Sequence, residues 1–492
     1  MTNRPNIVFM LPDQLRADFL SANGASFIET THIDSLADHG VRYSRCYSPH
    51  PLCVPARTAL LTGMDGIKNG VLDNGHALRP DHQDCGIDTW PEILSRHDYT
   101  TVAVGKMHFY PWEARWGFRH RIIAEDKIWI YIEDDYHHFL QAHGYRKTLG
   151  YEKEAYHENF GAYLSDIPWE YSVDHFVGQE AARWIREYDE DEPFAMMIGF
   201  PGPHHPYDPT PEYASRFSPD EMPAPIPEVE ADTALMSRAF GRSLKKPSSN
   251  AWYAFKNEGI PTEEDYRLHR AYYAALIKQI DDEVGSVLEA LEDKGILDNT
   301  IVIVSSDHGD YLGDHGMAKK GSFYEGAARV PMLVRAPWLE GSTDYDGLVS
   351  LTDVTATILD LAGIERPSYM VDTMTLPALG LTEGPHRERV GGMLRQGWML
   401  VRDRWKFVKY GGGGEMLFDM ENDPREQHNL AREGAYANVR RDLDAELMGM
   451  VMSSITTGFA DRELYKRSLS GSRSFGRPGW PRPYPTDIDD VM

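Results

Sequence analysis

Short, continuous apolar segments alternate along this chain with stretches in which the apolar residues keep helical spacing. The apolar segments lie at residues 7–11, 101–104, 194–200, 301–304 and 331–334, and the longest helical pattern lies at 263–294. A strand that is apolar on both faces must be covered on both faces, which is typical of the parallel sheets of α/β proteins. The sequence therefore predicts an α/β fold, with a large, mostly parallel central sheet between layers of helices.

The pattern changes near residue 375. Residues 398–401, 405–410 and 416–419 have the composition of paired strands, with a glycine turn at 411–414 and a helical pattern at about 436–451. We predict a main domain at 1–375, a smaller C-terminal subdomain of antiparallel sheet plus helix at 376–469, and an irregular tail at 470–492. Such a tail can pack on a neighbouring subunit, so a homodimer or homotetramer is one expectation.

The net charge and the cysteine count limit which partners and which cellular compartment are expected. The 492 residues include 76 acidic and 50 basic side chains, a formal net charge of −26. This charge opposes nonspecific binding to nucleic acid and to anionic membranes, so neither is an expected partner. Three cysteines are too few for a disulfide framework. Segment 7–11 is too short to span a membrane and has no signal-peptide cleavage site, so a cytoplasmic protein is expected.

Polar side chains directly follow four of the predicted strands. In open α/β sheets, ligands bind beyond the carboxyl ends of the strands, so these side chains are predicted to meet at one rim of the sheet. Carboxylate and amide oxygens suit Ca²⁺ or Mg²⁺, whereas an imidazole shifts the preference toward Mn²⁺ or another transition ion. The residues of this set are Asp13, Gln14, Lys106, His108, His204, Asp307 and His308.

Residues 53–63 carry the most specific motif, Cys-x-Pro-x-Arg followed by a short apolar run and Thr-Gly. A free cysteine is most often a small buried hydrophobe. The longer motif resembles the signature of the type I sulfatases, within the alkaline phosphatase superfamily. The resemblance implies an alkaline-phosphatase-like fold. It also implies that a formylglycine-generating enzyme converts Cys53 to formylglycine (3-oxoalanine), whose hydrated aldehyde is the nucleophile.

The resemblance assigns a metal site to the residues after the strands. It implies that Asp13, Gln14, Asp307 and His308 hold one divalent ion, together with an oxygen of the group derived from Cys53. Many sulfatases have Asp-Asp and Asp-Asn at these two pairs, whereas this chain has Asp-Gln and Asp-His. Ca²⁺ is the first candidate, with Mn²⁺ and Mg²⁺ as alternatives.

Three further motifs resemble the sulfatase pattern: Gly-Lys-x-His at 105–108, Pro-His-x-Pro at 203–206 and Lys-x-x-x-Tyr-Glu at 320–325. They imply that Lys106, His204 and Lys320 bind the substrate and that His204 or Lys320 assists the leaving oxygen. His108 would be the base that releases sulfate. His205 and Lys319 are adjacent alternatives that the motifs leave open.

Two residues complete the predicted site. Arg57 is expected to fix the nucleophile loop rather than to touch the substrate. Asn74 lies at the distance from Cys53 where related phosphonate monoester hydrolases place a substrate-binding asparagine, and a turn role in Asp-Asn-Gly is an equal alternative.

The implied activity is hydrolysis of small-molecule sulfate monoesters, with release of inorganic sulfate. Phosphonate monoester or phosphodiester hydrolysis is the alternative: Asn74, His308 and segment 13–19 favour it, whereas Lys106 and His108 favour sulfate. A third hypothesis is a non-catalytic anion-binding protein in which Cys53 is unmodified. The aromatic residues of loops 110–175 and 205–262 are expected either to stack on an aryl or sugar leaving group or to cover the sheet.

Overall fold

A nine-stranded sheet is the largest element of the computed structural model, which describes residues 4–83, 86–240, 259–381, 386–460, 474–475 and 482–483. In chain order its strands are β1 (Asn6–Met10), β2 (Gly40–Tyr47), β3 (Thr100–Gly105), β4 (His120–Ile123), β5 (Phe194–Gly199), β6 (Thr300–Ser305), β7 (Arg329–Val330), β8 (Met332–Arg335) and β9 (Ser342–Ser350).

Five adjacent strands of this sheet, in the order β4-β3-β5-β1-β6, are parallel. The other side is mixed: β8 runs antiparallel to β6 and β2, and β2 pairs in parallel with β9. The mostly parallel sheet is confirmed, although the predicted strand at 331–334 is antiparallel to its neighbours. β2, β4 and β9 were not predicted, because polar residues interrupt their apolar positions and only continuous runs were counted.

Helices cover both faces of the sheet. They are α1 (Thr31–Asp34), α2 (Cys53–Thr62), α3 (Gly66–Asn69), α4 (Trp90–Ser95), α5 (Asp135–Ala142), α6 (Glu154–Glu158), α7 (Val173–Glu187), α8 (Pro211–Ala214), α9 (Glu230–Phe240), α10 (Glu263–Asp293), α11 (Glu325–Ala328), α12 (Asp353–Leu361) and α13 (Ala437–Ala460). Within the part of the chain that the structure describes, no helix combines the length and apolarity needed to cross a membrane.

The alternation of side chains along β1 shows why its sequence is apolar throughout. Val8 and Met10 pack on the face covered by α7 and α10. Ile7 and Phe9 point to the opposite face, where α2, α4 and α12 form a second apolar layer. Because successive side chains of a strand alternate between faces, a sheet covered on both sides needs apolar residues at every position.

Two helices begin at capping signals that are readable in the sequence. Thr89 and Glu92 exchange hydrogen bonds with each other's backbone in a capping box, and α4 begins at the next residue, Trp90. Thr262 and Asp265 form the same arrangement at the start of α10. Each box satisfies backbone N–H groups that a helix N-terminus otherwise leaves without partners.

A four-stranded antiparallel sheet and α13 form the C-terminal part of the fold. Its strands follow one another in space and in sequence: β10 (Arg389–Leu394), β11 (Gly397–Arg402), β12 (Trp405–Tyr410) and β13 (Gly414–Asp419). Val408 and Tyr410 pack toward the nine-stranded sheet, whereas Phe407, on the opposite face of β12, packs against α13. The predicted sheet and helix are confirmed, although β10 was not predicted and α13 continues nine residues beyond the predicted end at 451.

The short strands β14 (Ser474–Phe475) and β15 (Arg482–Pro483) pair in antiparallel fashion within the segment predicted to be an irregular tail. The rest of 470–492 lies outside the described residues.

A buried lysine joins the C-terminal sheet to the main domain. Lys406 of β12 is 0% exposed. Its ammonium lies 2.9 Å from Glu325 Oε1 of α11 and 2.8 Å from Glu426 Oε1. Glu426 also accepts a hydrogen bond from the backbone N–H of Glu325 (2.7 Å). One cation therefore pairs with two carboxylates from different parts of the chain, the partly buried Glu325 and the fully buried Glu426.

Lys406→Met should reduce the free energy of unfolding by about 3–5 kcal/mol, because it leaves Glu426 buried without its cation, whereas Glu325 keeps Arg329 at 3.1 Å. The matched control is Lys409→Met on the same strand, where a more exposed ammonium pairs with Asp444 and Glu415 and should contribute less than about 1 kcal/mol. Denaturant unfolding of both variants measures the difference. A Lys406→Met protein within about 1 kcal/mol of wild type would contradict this interpretation.

A second buried charge holds the loop that follows β5. Asp174 of α7 accepts a hydrogen bond from the backbone N–H of Gly202 (2.9 Å). Lys127 donates to Pro206 O (2.8 Å) and forms an ion pair with Asp208. Burial raises the pKa of Asp174 to about 6, and the opposing effects of Lys127 and the Gly202 amide do not cancel that rise.

The raised pKa of Asp174 predicts a pH-dependent stability. Because the folded-state pKa lies above the unfolded value of about 3.8, protonation stabilises the folded state, and this contribution is lost as the pH rises through about 6. Between pH 5 and pH 8, wild type should lose about 1.4 kcal/mol of unfolding free energy relative to Asp174→Asn. Urea unfolding at both pH values tests this, with the exposed Asp220→Asn as control. A gap between Asp174→Asn and wild type that does not change with pH would contradict the assignment.

Candidate active site

The polar residues predicted to meet at one rim do follow neighbouring parallel strands. Asp13 and Gln14 come after β1, Lys106 and His108 directly after β3, His204 after β5, and Asp307 and His308 after β6. These four strands are adjacent in the order β3-β5-β1-β6 and run in the same direction, so their carboxyl ends share one edge. The structure therefore brings these residues to one edge of the sheet, and their roles stay predictions.

Four buried side chains form a group that can hold a metal ion. Ligand atoms of Asp13, Cys53, Asp307 and His308 all lie within 4.8 Å of one another. His308 Nε2 is 3.1 Å from Cys53 Sγ, 3.7 Å from Asp13 Oδ1 and 3.8 Å from Asp307 Oδ1. His308 Nδ1 lies 2.9 Å from the carbonyl of Gly309. Since a carbonyl can only accept, Nδ1 carries a proton, and Nε2 is the ring atom that faces the group.

Gln14 lies beside this group with its backbone in the left-handed region (φ 73°). Its backbone N–H donates to Asp307 Oδ1 (3.0 Å), and its side-chain oxygen accepts from Lys320 Nζ (2.5 Å). Two carboxylates and an imidazole nitrogen are thus available together, and the amide oxygen of Gln14 lies next to Lys320 beside them. This donor set fits a divalent cation that accepts oxygen and nitrogen ligands, such as Mn²⁺, Ca²⁺ or Mg²⁺.

Cys53 is the first residue of α2, a helix that is buried along its whole length. The preceding residue, Leu52, has no polar side chain to cap the helix. Asn74 supplies the missing acceptor from another segment, because its Oδ1 accepts from the backbone N–H of Val54 (3.0 Å). The structure therefore gives Asn74 a contact that holds the N-terminus of the nucleophile helix, and its binding of substrate stays a prediction.

Arg57, one turn further along α2, is buried in the same region. Its Nε donates to Asp307 Oδ2 (2.9 Å), its Nη1 donates to Lys106 O (2.7 Å), and its Nη2 lies 3.9 Å from Asp13 Oδ2. These contacts agree with the predicted role of fixing the loop, since one guanidinium ties α2 to the segments that follow β1, β3 and β6.

Lys106 and His108 are held by a tight turn at the end of β3. Gly105 has φ +85°, and a Cβ there would lie 2.2 Å from Gly199 O, so only glycine fits. Lys106 Nζ lies 2.8 Å from Asp13 Oδ2. The backbone N–H of His108, itself at φ 60°, donates to the buried carboxylate of Glu125 (2.7 Å).

The adjacent residues that the motifs left open have different neighbours. His205 packs between the rings of Tyr156 and Tyr207 at centroid distances of 5.9 and 5.4 Å, and its carbonyl contacts Nδ1 of His204. Lys320 contacts Gln14. The choice of His204 and Lys320 as site residues stays a prediction. Lys319 is at φ 65°, and its carbonyl accepts from the backbone N–H of Tyr311 (2.6 Å).

The charges of the site shift the pKa values of its members. Burial raises the pKa of Asp13, but Lys106, His204 and Lys320 outweigh burial and hold the value well below the ordinary range. Burial and Asp13 raise the pKa of the Cys53 thiol, yet Lys320 and His308 bring it well below the ordinary value. The pocket therefore favours negative charge on the group at position 53.

Several residues that support the site were not predicted. Glu125 holds the turn of His108, Asp126 lies 3.8 Å from Lys106 Nζ, and Lys127 holds the loop of His204. These three follow β4, which was not predicted, so nothing in the sequence placed them at the rim. Asp310 contacts Gln14, and its position in the polar run 305–310 after β6 was the available signal.

The aromatic residues of the predicted specificity loops divide into two groups. Trp116 and Trp169 pack inside the fold, against Phe109 and Tyr213. A second group lies near Lys106 and His108 and has exposed members, Tyr110 at 67% and Tyr131 at 54% exposure. This group consists of Tyr110, Trp112, Trp129 and Tyr131. Trp252 lies outside the described residues.

Comparison with known proteins shows which family models and which relatives the chain matches. The sulfatase family model matches residues 5–364, and the C-terminal model of N-sulphoglucosamine sulphohydrolase matches residues 313–453. An arylsulfatase of Clostridium perfringens is 29% identical over 91% of this chain and 95% of its own length. A choline-sulfatase of Rhizobium meliloti is 28% identical over 87% of this chain and 83% of its own length.

The fold is also that of solved structures. The phosphonate monoester hydrolase of Agrobacterium radiobacter has a TM-score of 0.77 at 24% identity, covering 92% of this chain and 96% of the other. The family model spans the nucleophile motif and the strands that carry the site. The chain therefore belongs to the sulfatase family of hydrolases.

Proposed function

We propose that this protein hydrolyses small-molecule sulfate monoesters, with a formylglycine derived from Cys53 as nucleophile and one divalent ion as cofactor. The observation that carries the proposal is the position of Cys53, whose sulfur lies 3.1 Å from His308 Nε2 inside a buried group of metal-ligand type. Asp13, Gln14, Asp307 and His308 would hold the ion. When bound, the ion supplies positive charge to the transferring group and lowers the pKa of a neighbouring hydroxyl.

The cations of the chain would bind the sulfuryl oxygens. Lys106 is buried, and its pKa is raised because Asp13 and Asp126 outweigh the opposing effect of burial, so its ammonium stays charged. Lys320, which donates to Gln14, would be the second cation. Burial and the charge of Lys320 lower the pKa of His204 well below its ordinary value, so its imidazole would bind as a neutral donor. Preorganised positive groups around a transferring anionic centre give the largest share of catalysis in sites of this kind.

The two hydroxyls of a hydrated aldehyde would divide the reaction into two steps. One hydroxyl would lose its proton to water and displace the alcohol from sulfur, and Lys320 or His204 would give a proton to the leaving alcohol. His108 would accept the proton of the other hydroxyl, so that the carbon–oxygen bond breaks and sulfate leaves. Addition of one water to the aldehyde would then restore the hydrate for the next turnover. His108 follows β3 at the same edge of the sheet as the ligand group, which supports this assignment.

Hydrolysis of phosphonate monoesters or phosphodiesters is the second candidate. Two features favour it: His308 lies in the cluster of possible metal ligands, and Asn74 accepts a hydrogen bond from the backbone N–H of Val54 at the start of α2. A panel of sulfate monoesters, phosphonate monoesters and phosphodiesters, compared by kcat/KM on one preparation, decides between the two candidates.

Cys53→Ala should lower kcat/KM toward sulfate monoesters by at least about 10³-fold, because it removes the nucleophile. Cys46→Ala is the matched control, since Cys46 is an equally buried cysteine in the core beneath the sheet. In active enzyme, the peptide containing residue 53 should be about 18 Da lighter than its unmodified form. Full activity of Cys53→Ala, or active enzyme with an unmodified Cys53, would contradict the proposed nucleophile.

His108→Asn should stall the second step while leaving the first. We expect a burst of about one equivalent of alcohol per enzyme, followed by turnover that is about 10²–10⁴-fold slower than wild type. Rapid-mixing assays with a chromogenic sulfate ester measure both phases. His138→Asn, at an exposed histidine of α5, is the control. Slow turnover without a burst would assign His108 to the first step instead.

A further inference from the structure

The side-chain amide of Gln14 has two orientations that differ chemically, whereas a carboxylate at the same position would present oxygen in both. An amide presents an oxygen at one end and an NH₂ group at the other, and only the oxygen can bind a cation. Gln14 is 0% exposed, and its backbone is fixed from two sides. Its N–H donates to Asp307 Oδ1 (3.0 Å), and its carbonyl accepts from the Tyr273 hydroxyl (2.5 Å). The side chain therefore has little freedom except rotation of its terminal amide.

Asp310 determines that rotation. Its Oδ2 accepts a hydrogen bond from Gln14 Nε2 and a second one, 2.7 Å long, from the Tyr207 hydroxyl. Its Oδ1 accepts from the backbone N–H of Leu312 (3.1 Å). A buried carboxylate surrounded by donors repels an amide oxygen and attracts an NH₂ group. Asp310 therefore holds the nitrogen end of Gln14 away from the cluster.

The other end of the amide faces a cation. Lys320 Nζ donates to Gln14 Oε1 at 2.5 Å. Rotation of the amide by 180° would place the NH₂ group against this ammonium and the oxygen against Asp310, so that both contacts would become repulsive. Asp310 and Lys320 therefore favour the same orientation of the amide, and the observed orientation is strongly preferred.

We propose that Asp310 is a positioning residue that turns the oxygen of Gln14 toward the metal site, with Tyr207 and the Leu312 amide holding Asp310 in place. Asp310 does not belong to the group of four residues that surrounds the site, so its effect passes through Gln14. Gln14 can serve as a metal ligand because the carboxylate of Asp310 binds the NH₂ group of the amide and leaves the oxygen for the ion. This inference rests on the divalent-ion site of the proposed function.

The test is calorimetric titration of Mn²⁺ and Ca²⁺ into the full-length protein after removal of metal with a chelator. Asp310→Asn should weaken metal binding by about 10–100-fold, the usual effect of losing a partner that orients a ligand. Asp314→Asn is the matched control: Asp314 is an equally buried carboxylate that binds Arg16 and Arg270, and its loss should leave metal affinity within about two-fold of wild type.

A second variant separates orientation from a general loss of structure. On the Asp310→Asn background, Gln14→Glu should recover most of the lost metal affinity, because a carboxylate presents an oxygen in either orientation and the amide introduced by the first substitution can donate to it. Recovery without a rise in melting temperature would exclude a purely structural effect.

The outcomes distinguish the two proposals. Wild-type protein that binds neither ion would overturn the proposed metal site, and the inference with it. Wild type that binds an ion while Asp310→Asn binds it equally well, or a double variant no tighter than Asp310→Asn, would overturn only the role of Asp310.

Discussion

The buried charge of Asp13 is the constraint on which the rest of the site depends. Its carboxylate is 0% exposed and lies 2.8 Å from Lys106 Nζ. An uncompensated carboxylate in this position would cost several kcal/mol of lost solvation. The compensating cations come from separate segments: Arg57 from the nucleophile helix, Lys106 from the end of β3 and Lys320 from the loop before α11. Neutralising one charge therefore fixes the relative positions of several loops.

A second set of buried carboxylates holds those cations and amides in turn. Glu125 binds the backbone of the His108 turn, Asp307 binds Arg57, and Asp310 binds Gln14. Each of these carboxylates accepts more than one hydrogen bond, which offsets its own desolvation. Groups that bind and transfer an anion can then be rigid before substrate arrives, which is the condition for electrostatic preorganisation. The strong net negative charge of the chain does not oppose this, because the cations act at contact distance inside the cleft.

Much of the fold was predictable because it follows from local rules. Strands covered on both faces need apolar residues at every position, and β1, β3, β5 and β6 were recognisable for that reason. The capping box at Thr89 and Glu92 marked the start of α4. Strands β2 and β9 were missed because both have positions that are only partly buried, so their apolar residues are interrupted. The direction of β8 was not predictable either, since a short apolar strand carries no mark of whether its neighbours are parallel.

The sequence by itself determined the sheet, the nucleophile motif and the residues that follow each parallel strand, because these depend on spacing along the chain. The tertiary structure alone showed the neighbours of the adjacent residues. His205 packs between two tyrosines and Lys320 donates to Gln14, because these contacts depend on which loops enclose each side chain. It alone also revealed that Asp310 orients Gln14, since a contact between residues 296 positions apart forms only when the ends of β1 and β6 lie side by side.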